Sequence, residues 1–167
     1  MEQVEINKEA KLSEHFSLGE LTKTNVKGIS NEPPHAAVLN LKNLCENWLE
    51  PLRQAQGLII INSGYRSESV NKAIGGVKGS NHLTGCAVDI RVTGIEQAIR
   101  YAATLLDIAD GGKDFDELLI ERSPKGTYWV HFAVRPKENR RKVRFLPLTQ
   151  RRGIMSRSCL EGTASPS

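Results

Sequence analysis

Between Pro34 and Gln56 the apolar residues Ala37, Val38, Leu41, Leu44, Cys45, Trp48, Leu49 and Leu52 return at every third or fourth position. That spacing predicts the buried stripe of an amphipathic helix, opened by Pro33-Pro34, ended by Gly57 and kinked or near its last turn at Pro51. Leu58 to Asn62 reads as a buried strand. Ser67 then caps a short helix from Glu68 to Ile74, stopped by Gly75-Gly76. Period-two alternation returns at Cys86 to Val92, with Cys86, Val88, Ile90 and Val92 on one face and Ala87, Asp89 and Arg91 on the other. Thr93-Gly94-Ile95-Glu96 reads as a capping box for a helix that buries Ile95, Ile99, Ala102, Leu106 and Ala109, with Asp110-Gly111-Gly112 as its stop. Phe115 to Glu121 and Thr127 to Val134 form a hairpin around Ser123-Pro124-Lys125-Gly126, and Val143-Arg144-Phe145 is a further short strand signal. Before the long helix, Leu12 to Leu21 is a short opening segment with one helical turn capped by Ser17, and Lys23 to Pro34 is loop. The sum is an α+β domain, a small central antiparallel sheet with helices packed on one side.

At 167 residues the chain is long enough for one domain with one good core. The expected division is a flexible N-terminus over 1–11, a single domain over 12–147 and a basic tail over 148–167. No apolar run approaches the ~20 residues that cross a bilayer, and Met1 to Asn7 lacks the basic-then-apolar pattern of a secretory leader. Cys45 and Cys86 sit in apolar patterns and read as small buried side chains, while Cys159 lies in the tail; the odd count argues against a disulfide framework. The net charge of +4 is concentrated in Arg135, Lys137, Arg140, Arg141, Lys142, Arg144, Arg151 and Arg152, against one acid, Glu138. This stretch reads first as a solvated extension, with nucleic acid or an anionic bacterial wall as other targets. No interleaved aromatic residues support nucleic-acid binding, and none is expected.

Candidate chemistry lies in Ser80-Asn81-His82-Leu83-Thr84-Gly85-Cys86-Ala87-Val88-Asp89 and in Trp129-Val130-His131. Two imidazoles and one carboxylate make an open zinc site, with a fourth position left for water, and that is what hydrolysis requires. Parity in the hairpin adds a carboxylate. If the turn is centred near Lys125, Glu121 lies opposite Trp129 and diagonal to His131 on the same face, at roughly 7–8 Å between backbones. A glutamate there can serve as general base without being a ligand.

Ser63-Gly64-Tyr65-Arg66-Ser67, Ser80-x-His82-x-x-Gly85-x-Ala87-x-Asp89 and Trp129-Val130-His131 together resemble peptidase family M15, the zinc D-alanyl-D-alanine carboxypeptidases and peptidoglycan endopeptidases. The similarity is greatest to small single-domain members, phage endolysin-like ones included, and the metal site is similar to that of the Hedgehog signalling domain. The resemblance runs from about Leu12 to Val134 and implies a Hedgehog/DD-peptidase-like fold. It implies one Zn2+ held by His82, Asp89 and His131, with Glu121 as base and Arg66 on the substrate carboxylate or oxyanion. Ser80 would orient the His82 loop or touch substrate, Tyr65 would line the substrate site, and Trp129 would wall the substrate groove or cover the hairpin. Many members carry an acid two or three positions before the last histidine. This chain has Tyr128 and Trp129 there, and Glu121 on the neighbouring strand resembles the Hedgehog-like branch instead.

The implied partner is peptidoglycan or its stem peptides, acted on by a monomer. Without a leader, the protein would be made in the cytoplasm and would act on the bacterial wall. A phage-encoded lytic enzyme released through separately formed membrane lesions fits that, and a bacterial enzyme with another export route is the other option. A non-catalytic zinc-stabilised binding module is the alternative function.

Overall fold

A computed structural model describes residues 6–146; the tail expected over 148–167, with Cys159, Arg151 and Arg152, lies outside the described residues. The first helix, α1 (Leu18–Thr22), is closed by a full capping box: the Ser17 hydroxyl accepts from the Glu20 amide, and the Glu20 carboxylate accepts from the Ser17 amide. Leu18 and Gly19 donate to the carbonyls of Ala10 and Lys8, so residues 8–10, expected to be flexible, are tied to α1.

The long predicted helix is present but not uniform. It runs as α2 (His35–Leu44), one π-helical turn at Cys45–Leu49, and α3 (Glu50–Gln56). Pro51 explains the widened turn, because it has no N–H to offer the carbonyl of Asn47. The Glu50 amide bonds instead to the carbonyl of Cys45, and Lys113 Nζ donates to the carbonyl of Asn47 at 2.9 Å. Gly57, at φ +84°, ends the run.

Five strands form the sheet: β1 (Ile61–Ser63), β2 (Ala87–Arg91), β3 (Glu117–Arg122), β4 (Tyr128–Ala133) and β5 (Lys142–Phe145), in the order β1-β2-β4-β3-β5. The first four pair antiparallel, as expected, whereas β5 lies parallel to β3. The short strand signal at Val143 is therefore real, and it makes the sheet mixed. β1 starts later than predicted: Ile59 and Ile61 are buried, but Leu58 and Ile60 are exposed.

Between β1 and β2 come α4 (Glu68–Ala73), capped by Ser67, and one 3-10 turn at Asn81–Thr84. The last helix, α5 (Ile95–Asp110), departs from expectation in two ways. No capping box forms; the side chain of Gln97 accepts from the Thr93 amide instead. Its buried stripe is Ala98, Tyr101, Leu105 and Ala109, one position round from the predicted face, and Ile99 is exposed. Trp48 binds helices to sheet, its ring 4.9 Å from that of Phe132 and 6.5 Å from that of Phe115. No helix among the described residues is long and apolar enough to cross a membrane.

Candidate metal centre and active site

Three elements deliver the central side chains: the 3-10 turn carries His82, β2 carries Asp89 and β4 carries His131. β2 and β4 pair with Asp89 directly opposite His131, which sets the carboxylate beside the imidazole. His82 reaches them because its turn is fixed from both sides. The Ser80 hydroxyl accepts from the His82 amide, and Gly85, at φ +71°, ends the turn where a Cβ would overlap the carbonyl of Ala37. The Arg66 amide donates to the carbonyl of His82, while the carbonyl of Gly64 receives His82 Nδ1 at 2.6 Å.

One donor atom from each of His82, Asp89 and His131 lies within 4.8 Å of the others. Asp89 Oδ1 is 2.9 Å from His131 Nδ1 and 3.3 Å from His82 Nε2. His82 Nε2 is buried and has no hydrogen-bond partner among the described residues, although it approaches Asp89 Oδ1. Tetrahedral zinc with bonds of about 2.0–2.1 Å separates its ligand atoms by about 3.3 Å, and two nitrogens with one carboxylate oxygen are a donor set zinc accepts. The residues fit such an ion. They line a cleft of about 1150 Å³ that also takes in Arg66, Glu121 and Trp129.

The local field favours positive charge at the centre. Burial raises Asp89, but His82 and His131 outweigh it and hold the carboxyl well below the usual range. Burial lowers His131, yet hydrogen bonds to Asp89 and Glu117 raise it to about 9. Glu121 is pushed upward, by burial first and by the charge of Asp89, against the pull of His131 and the Trp129 side chain.

β3 pairs with β4 in the register expected from the turn: Glu121 opposite Trp129 and Leu119 opposite His131. Glu117 and Glu121 therefore flank His131 at the two diagonal positions. Glu117 was legible by the same parity but unassigned; its Oε2 lies 3.1 Å from His131 Nε2, a bond that holds its carboxyl at about 2. Arg66 points at the centre, with NH2 2.8 Å from Asp89 Oδ2 and Nε 2.9 Å from Ser63 Oγ. Ser80 orients the His82 turn, and Trp129 lines the cleft. Tyr65, expected to line the substrate site, has its ring in the buried core, and its amide bonds to the carbonyl of Leu21.

Among the described residues the basic stretch is tied to the fold in part, while Lys137, Arg141 and Arg144 are exposed as expected of a solvated stretch. Arg140 grips the fully buried Asp116 through Nε at 2.9 Å and NH2 at 2.7 Å, Arg135 approaches the same carboxylate, and Lys142 approaches Glu117. Asn81, next to His82, donates to Asp116 at 2.8 Å.

No curated protein matches the chain. The family model described as Peptidase M15 matches residues 14–121, a span that contains Arg66, His82, Asp89 and Glu121 and stops short of His131. With His131 brought onto Asp89 by strand pairing, the chain belongs to the Peptidase M15 family.

Proposed function

We propose that the protein is a zinc peptidase that hydrolyses peptide bonds in peptidoglycan stem peptides, as a carboxypeptidase or an endopeptidase. The observation that carries this is the meeting of His82, Asp89 and His131 at a cleft, with the buried Nε2 of His82 unpartnered among the described residues. Zinc in such a site supplies Lewis acidity and brings the pKa of water toward neutrality.

The chain's own groups supply the rest. Glu121 stands beside His131, and its raised pKa suits a base that takes the proton of the attacking water and returns it to the departing amine. Arg66 fixes Oδ2 of Asp89, which leaves Oδ1 turned to the histidines, and its guanidinium in the cleft would serve to stabilise a tetrahedral oxyanion. Trp129 gives the cleft an aromatic wall. A lytic role on the bacterial wall, phage-borne or bacterial, is part of this proposal, and the family match supports it.

Purified wall incubated with the zinc-loaded protein, its fragments read by mass spectrometry, tests the reading. Cleavage should vanish on chelation and return with zinc. Glu121→Gln should lower it by about 10²–10⁴-fold while zinc remains bound. Digestion that survives both treatments overturns the mechanism. Zinc that raises the melting temperature while no peptide is cut identifies a binding module instead.

A further inference from the structure

Histidine has two ring nitrogens, and which one meets a metal is decided by what holds the other. For His82 the answer is immediate. A backbone carbonyl can only accept, so the carbonyl of Gly64 requires the proton on Nδ1 and leaves the lone pair on Nε2. His131 has the opposite arrangement and a harder choice. Its Nδ1 faces Asp89 at 2.9 Å and its Nε2 faces Glu117 at 3.1 Å, and both carboxylates can accept a proton's bond.

The two carboxylates differ in what else holds them. Asp89 belongs to the central cluster, with Oδ1 shared between His131 and the approach of His82. Glu117 is anchored outside it. Its Oε1 is 3.1 Å from Arg140 NH2 and 3.5 Å from Lys142 Nζ, and its Oε2 also receives Asn81 Nδ2 at 3.3 Å. Glu117 also lies on the far edge of the His131 ring from Asp89, so the imidazole separates it from the point where the three donor atoms meet.

We propose that Glu117 is a positioning residue: held by Arg140, Lys142 and Asn81, it keeps the proton on His131 Nε2 and so offers Nδ1 to the metal. Asn81 and Arg140 extend the effect. Both bind Asp116, and Asn81 adjoins His82, so one polar network under the centre supports both histidines. The strand β5 and the turn before it thereby become part of the metal site's support. This rests on the zinc reading of the cluster.

Zinc affinity, measured by competition with a chromophoric chelator, and the His131 tautomer, read from long-range proton–nitrogen NMR of the zinc-loaded protein, test it together. In the wild type the ring proton should sit on Nε2. Glu117→Ala should weaken zinc by about 10–100-fold. Glu117→Gln, whose amide oxygen still accepts from Nε2, should restore affinity and keep the tautomer. A proton on Nδ1 in the zinc-loaded wild type overturns the proposal even if the alanine variant fails to fold, as does alanine binding zinc as tightly as glutamate. A wild type that binds no zinc overturns the reading of the cluster itself.

Discussion

Gly64 shows how little space some positions near the centre leave. A Cβ there would overlap the carbonyl of Leu21, which the Tyr65 amide needs, and the carbonyl of Gly64 itself receives His82 Nδ1. Gly64→Ala should therefore cost about 1–3 kcal/mol in denaturant unfolding, as overpacked sites do, and should weaken zinc binding as the carbonyl shifts. At this scale His82, Asp89 and His131 were legible from spaced motifs, and strand parity also constrained Asp89 and His131. Glu121 was placed by parity together with the family resemblance. Glu117 satisfied that same parity, but its bond to His131 depends on anchors from β5 and the 3-10 turn, which no local pattern reveals. The burial of the Tyr65 ring was not legible either, because a motif position does not say which way a side chain packs.

Helices and strands came through as segments, since burial imposes a period on each, but their junctions depended on partners. The run from His35 to Gln56 carries one hydrophobic stripe throughout, yet Pro51 forces a wider turn at Cys45–Leu49 that periodicity does not record. Trp48 lies in that turn, 2% exposed, against Phe115 and Phe132. Trp48→Ala should lower stability by about 3–5 kcal/mol, measured by chemical denaturation, because it removes the contact between the widened turn and the sheet. On α5 the buried face is displaced because Tyr101 and Leu105, not Ile99, meet the core. The parallel partner of β5 was invisible for a simpler reason: alternation reports which face is buried and not which neighbour a strand takes.

Across the whole molecule, Arg140 and Arg135 of the basic stretch act as a clasp on Asp116. Asp116 is fully buried and held by Arg140, whose hydrogen bonds outweigh burial and bring its carboxyl from 3.8 to about 2. A depressed acid stabilises the fold above its unfolded value and ceases to do so as pH falls through its folded value. Asp116 should thus contribute about 1–2 kcal/mol near neutrality, the lower end being favoured by the exposure of Arg140. That contribution should fade between about pH 4 and pH 2. Urea unfolding of wild type and Asp116→Asn across this range should show a gap at pH 6 that narrows toward pH 2; a constant gap would refute the assignment. The net fold class could be read from the chain because its segregated helices and hairpin permit few layouts. The clasp could not, because it joins residues far apart in sequence. One last feature reaches beyond catalysis. A nitrogen sealed from water with no partner among the described residues, as in His82, burdens a fold by about 1–3 kcal/mol. An ion captured by that lone pair removes the burden and adds its own binding energy, so scarcity of the metal would leave more chains unfolded and open to degradation, and supply would govern lifetime as well as turnover.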